Sequence, residues 1–200
     1  MMVTNEYDAL TLVLSSKYNC KVNDQGVFKM EETFPNQPPQ VINLKSSYSG
    51  VDGIKLYRPE DRGAELLLPF FNHNNRNTGE ERKAPKYLVC MCDYFCVCSY
   101  RDKTFFFLFE LKRGTTTDYQ KQLDAGESFF RYICDTIDRI KSYDGIAFDR
   151  TLISVKKFQI KKVKSNKQTI QPSHSINGDG VYFTIETNNE LGLLRCLFNA

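Results

Sequence analysis

Residues 90–112 read CMCDYFCVCSYRDKTFFFLFELK, and how this stretch pairs with itself decides the fold. Tyr87–Tyr100 and Thr104–Lys112 are β-branched, aromatic and cysteine-rich runs separated by the turn-like Ser99–Lys103, which predicts two adjacent strands of one hairpin. Each run is apolar with a polar exception: Asp93 interrupts the first, and Glu110 and Lys112 close the second. If the first strand is unbroken, period-two alternation puts Cys90, Cys92, Tyr94, Cys96 and Cys98 on one face and Met91, Asp93, Phe95 and Val97 on the other. A buried carboxylate must be paired, hydrogen-bonded or metal-bound; otherwise Asp93 faces water at a strand end or bulge.

Four of the seven cysteines fall in this run. Residues two apart on a strand have Cα atoms about 6.6 Å apart, whereas sulfurs around one zinc ion approach to about 3.8 Å. A regular Cys-x-Cys strand therefore chelates poorly, and buried packing is the simpler reading. A zinc-binding protein built on Cys90–Cys98 is the competing one. Phe105, Phe106, Phe107 and Phe109 read as core.

Moving outward, Tyr119, Leu123, Phe130, Ile133, Ile137 and Ile140 recur at three- to four-residue spacing up to Lys141, predicting a long amphipathic helix capped by Thr117 or Asp118. Thr151–Val163 alternates as a further strand, Val181–Ile185 as another, and Glu190–Phe198 reads as a short terminal helix. Upstream, Asp61–Phe71 could be a short helix that Pro69 must end or kink, followed by the polar loop 72–81. The part up to about Tyr57 reads as strands or a helix joined by irregular loops, with Leu10–Leu14 as a short apolar run. Helix, strand, strand, helix, strand predicts an α/β domain with helices packed on one small sheet.

With 200 residues, 41% of them hydrophobic, one main core is expected. No apolar run approaches the roughly 20 residues that cross a bilayer, and Met1–Ser16 carries Glu6 and Asp8 where a leader would carry Lys or Arg. Bunched cysteines, odd in number, fit reduced thiols. The expectation is a soluble cytoplasmic protein with no membrane partner.

The net charge of +3 is unevenly spread: Arg150–Lys167 holds seven basic residues and no acid, leaving the remainder at −4. Such a strip fits a polyanionic partner such as nucleic acid, or a lysine-defended strand edge. His73 and His174 sit in polar stretches and read as solvated.

Glu110 and Lys112, at i and i+2 on a strand, share a face. Carboxylates with water and a substrate phosphate suit Mg²⁺, and a lysine beside them can orient an attacking water or offset transition-state charge. Taken alone, the pair is equally a surface ion pair at a strand terminus.

Asp93 precedes Glu110 by 17 residues, one hairpin, and a long helix follows Lys112. This arrangement resembles the PD-(D/E)XK nuclease superfamily, whose core runs helix, strand, strand carrying the aspartate, strand ending in (D/E)-x-K, helix, strand. The resemblance implies a restriction-endonuclease-like mixed sheet flanked by helices, with a core of about 58–165 and additions at both ends of a single domain 1–200. It implies a metal-dependent nuclease hydrolysing phosphodiester bonds in nucleic acid, with DNA the favoured substrate and RNA the alternative, or a catalytically inactive nucleic-acid-binding module of the same fold. Asp93 matches the metal-binding aspartate, Glu110 the second ligand of Mg²⁺ or Mn²⁺, and Lys112 the catalytic lysine. Gln122 falls where relatives carry a glutamine in the following helix, with Gln120 as alternative, and Glu65 is the candidate for the acid that the first helix often adds. Cys92 stands where the nominal proline would be. Arg113, Lys156, Lys157, Lys161 and Lys162 are the expected backbone contacts, Tyr119 a further one, and a homodimer or a larger defence complex the permitted assemblies.

Overall fold

The computed structural model describes residues 3, 5–34, 37–59, 92–112, 119–162, 169–174, 181–187, 190–191 and 198. The elements are α1 (Glu6–Val13), β1 (Val27–Phe34), β2 (Gln37–Lys45), β3 (Val51–Tyr57), β4 (Tyr94–Tyr100), β5 (Lys103–Lys112), α2 (Tyr119–Asp144), β6 (Ile153–Lys162), β7 (Thr169–His174), β8 (Val181–Thr187) and β9 (Glu190–Leu191). Six strands form one mixed sheet in the order β3-β4-β5-β6-β8-β7, and β1-β2-β9 form a second.

The predicted hairpin is the centre of the larger sheet. Tyr100 pairs with Lys103 and Tyr94 with Phe109 in antiparallel register. Arg101 and Asp102 alone make the turn, both at positive φ (48° and 62°), the conformation whose twist matches the flanking strands. The Arg101 amide also donates to the Gly50 carbonyl at 3.0 Å, tying the turn to the start of β3. From β5 the chain crosses over through α2 and returns as β6, parallel to β5, and β8 lies parallel to β6.

Alternation along β5 sorts the core. Phe105, Phe107, Phe109 and Leu111 pack with Phe28 and Met30 of β1 and Ile42 and Leu44 of β2. Phe106 and Leu108 pack with Ala9 and Leu10 of α1 and Leu123, Phe130, Ile133 and Ile137 of α2. The phenylalanines are thus core, as read from sequence, and both helices lie on one face of the sheet. The opposite face is covered by the second sheet, where the resemblance implied helical flanks. Its cause is local: Phe28 and Met30 flank Lys29, and Ile42 and Leu44 flank Asn43, so each strand offers an apolar face rather than a helical stripe.

α2 runs from Tyr119 past Lys141 to Asp144 and ends at Gly145, whose φ of +64° closes the helix as the Ile146 amide donates back to the Lys141 carbonyl at 3.1 Å. The predicted caps Thr117 and Asp118 lie outside the described residues, as does the short helix 61–71. At the C-terminal side, Glu190–Leu191 is strand β9, parallel to β2, where a helix was predicted from Glu190; Phe198 is helical. His174 ends strand β7, paired with Val181, rather than lying in a polar loop. The two sheets draw on residues on both sides of the implied 58–165 core, since β3 precedes it and β7 and β8 follow it. No helix among the described residues is long and apolar enough to cross a membrane.

Candidate active site

The open end of the β4–β5 hairpin is where Asp93, Glu110 and Lys112 meet. Asp93 stands one residue before β4, outside the ladder, so backbone amides there lack strand partners. Side-chain carboxylates replace them. The Asp93 amide donates to Glu110 Oε2 at 3.2 Å, and the Leu111 amide donates to Asp93 Oδ2 at 2.8 Å. Lys112 Nζ lies 2.6 Å from Glu110 Oε1 and 3.9 Å from Glu32 Oε1.

The charges are strongly coupled. Glu110 has no exposed surface, and burial, then the charge of Asp93, push its carboxyl up to about 8. Burial also raises Asp93, against the Leu111 amide and the Lys112 and Arg58 charges that pull it down. For Lys112 burial works downward, but Glu110, Asp93 and Glu32 together outweigh it and the ammonium is held above its ordinary range. Two acids here share one close lysine, which leaves the cluster short of positive charge.

The strand does not run unbroken through Asp93. Cys92 packs on the helical side with Leu123 and Phe130, whereas Tyr94, Cys96 and Cys98 face the second sheet. The bend at Asp93 shifts the alternation by one, so Cys92 does not share a face with Cys96 and Cys98. Cys92, Cys96, Cys98 and Cys134 are free thiols, and burial raises those of Cys96 and Cys98. Among the described residues no group of three or more His, Cys, Asp or Glu side chains is placed to hold a metal ion.

The predicted basic strip divides. β6 lies between β5 and β8, so its lysines do not defend an edge. Lys157 is 11% exposed and donates to Asp124 at 3.0 Å and Glu127 at 2.8 Å on α2, with its ammonium 4.4 Å from the centroid of the Tyr182 ring. The Tyr182 hydroxyl donates to Asp124 at 2.6 Å. Lys157 is thus a brace between helix and sheet. Lys156 has the opposite parity and reaches the Phe198 carbonyl at 3.5 Å. Lys161, half-buried, and Lys162, exposed, stand at the end of β6 beside Lys112, with which Lys161 is in register.

Gln122 lies in the first turn of α2, half-buried. In the same turn Gln120 donates to the Tyr119 hydroxyl at 3.4 Å, and Tyr119 stands edge-on to Tyr182 with ring centroids 6.2 Å apart. Glu65, Arg113 and His73 lie outside the described residues.

Three neighbours were not read from sequence. Glu32 comes from β1, in the second sheet. Arg58, just past β3, sits over the Tyr94 ring at 5.6 Å and acts on Asp93. Gln159, in register with Glu110, is 2% exposed; its Oε1 accepts the Thr184 hydroxyl at 3.3 Å, while its Nε2 has no hydrogen-bond partner. A glutamine set between Phe158 and Ile160 is the sequence signal for the last. No family model, no curated protein and no solved structure matches the chain, so the likeness to PD-(D/E)XK nucleases rests on these residues and their element order.

Proposed function

We propose that the chain is a metal-dependent nuclease with a restriction-endonuclease-like core, hydrolysing phosphodiester bonds in DNA. The observation that carries this reading is the meeting of Asp93 and Glu110, each accepting an amide from the other's strand, with Lys112 at 2.6 Å from Glu110. Two carboxylates are hard oxygen donors that suit Mg²⁺ or Mn²⁺. Burial and then the charge of Asp93 raise the Glu110 carboxyl, and a divalent ion bound between the two acids would offset both. When bound there, such an ion supplies Lewis-acid polarisation of a phosphate and a more acidic water.

The chain's own residues divide the remaining work. Asp93 and Glu110 bind the ion and hold the hairpin end closed. Lys112, whose ammonium lies 2.6 Å from Glu110, serves to orient a water or to offset phosphorane charge. Lys161 and Lys162 lie at the same end of the sheet and would meet the nucleic-acid backbone.

The test is cleavage of linear duplex DNA, single-stranded DNA and RNA with Mg²⁺ or Mn²⁺. Glu110→Ala and Lys112→Ala should each lose roughly 100- to 1,000-fold in rate. Full cleavage by both variants would overturn the assignment. The complete burial of Glu110 against Lys112 favours one second reading, an ion pair retained in a binding module without catalysis. Such a module would retain DNA without cutting it, and calorimetry would find no Mg²⁺ bound.

A further inference from the structure

The geometry points to Glu32 as a positioning residue that receives Lys112 when a divalent cation takes Glu110. This inference rests on the reading that Asp93 and Glu110 bind such an ion. Lys112 Nζ is in contact with Glu110 Oε1 at 2.6 Å, so an ion arriving at Glu110 competes with the ammonium for the same oxygen and repels it. A lysine with nowhere to go would either block the ion or swing out of the site. Glu32 Oε1, 3.9 Å from the ammonium, is a second acid one short step away.

Its placement is fixed by the fold. The Tyr94 hydroxyl accepts the Glu31 amide at 2.7 Å and donates to the Glu31 carbonyl at 3.0 Å. Tyr94 adjoins Asp93, so β1 is fastened to the chain that carries the first acid, one residue from Glu32. Between Glu32 and Phe34 the β1–β2 register shifts, an irregularity of the kind that re-aims a strand side chain. Both carboxylates that flank Lys112 are shielded, Glu110 at 0% and Glu32 at 19% side-chain exposure, so water screens the exchange only in part.

Glu32 therefore acts through Lys112 and not as a ligand of the ion, which separates it from Asp93 and Glu110. It keeps the ammonium beside the site after the ion has displaced it, where it can still face a phosphate.

Calorimetric titration of Mn²⁺ and Mg²⁺ into the wild-type chain, Glu32→Gln, Lys112→Met and the double variant tests this. Glu32→Gln should weaken ion affinity roughly tenfold, the size of coupling between charged neighbours. Lys112→Met should tighten it, and in the Lys112→Met background Glu32→Gln should change nothing. Glu32→Asp, which keeps the acid, should retain most of the wild-type affinity and guards against a packing effect of the glutamine. Unchanged affinity in Glu32→Gln overturns the inference, and so does an equal loss in both backgrounds, which would make Glu32 a direct attractor of the ion. A wild-type chain that binds neither ion removes the nuclease reading itself, whereas wild-type binding insensitive to Glu32 removes only the handover.

Discussion

The Tyr94 hydroxyl closes both backbone valences of Glu31, accepting from its amide and donating to its carbonyl. Among the described residues β1 is an edge strand of the smaller sheet, with no further strand paired along its outer side. One phenol thus joins the two sheets next to Asp93.

Tyr94→Phe keeps the ring beneath Arg58 and removes only the hydroxyl. Both hydrogen bonds are lost while the Glu31 groups stay partly buried, so stability should fall by about 2 kcal/mol. Urea denaturation measures the loss, and hydrogen exchange should speed at the Glu31 amide ahead of those in β5.

Gly126 of α2 is where the helix meets the bent segment. A Cβ built there would lie 2.8 Å from Cys92 Sγ and 2.9 Å from Leu108 Cδ2, both in the core. Alanine in a helix gains up to about 1 kcal/mol over glycine, but overpacking costs about 1–3 kcal/mol. Gly126→Ala should therefore be destabilising, and Cys92→Ala in the same chain should recover most of the loss. Thermal melts of the single and double variants decide it, and they test directly that Cys92 faces the helices.

The raised Glu110 carboxyl fixes a pH dependence. Its ordinary value is 4.5 and its folded value about 8, so folding favours the protonated form. The contribution is complete below the ordinary value and is lost as pH rises through the folded one. Glu110→Gln cannot ionise, and its stability should vary less between about pH 5 and about pH 8 than that of the wild type. Denaturant midpoints across that window read the difference.

Lys157 and Lys162 should separate support from contact. Lys157→Ala breaks a shielded pair with Asp124 and Glu127, at about 1–2 kcal/mol of stability after allowance for the more exposed acid. It should leave the salt dependence of DNA binding unchanged. Lys162→Ala should spare stability and reduce the log–log salt slope of binding by about 1. Filter binding over a salt series, beside thermal melts, measures both.

The hairpin, the long helix and β6 were legible because each carries its own periodicity, and Asp93, Glu110 and Lys112 because each breaks an apolar run at a strand end. What escaped depends on stacking rather than on period. Glu32 lies in β1, and only the packing of one sheet on the other brings it to Lys112. The shift in alternation at Asp93 was hidden because Cys92 packs equally well on either face. Lys157 looked like surface charge until α2 placed Asp124 and Glu127 above it, and the two-residue β9 is too short to show a pattern.

The turn at Arg101 and Asp102 governs the acid pair from a distance. Seven rungs of ladder, about 25 Å of strand, separate it from Asp93, yet a two-residue turn permits a single alignment of β4 against β5. If the turn keeps its two-residue form, one residue inserted between Arg101 and Asp102 would slide the strands by a rung and turn one set of side chains to the opposite face. Asp93 would then come level with a core residue instead of Glu110. A surface loop with no chemistry of its own thus sets the reading frame of the site.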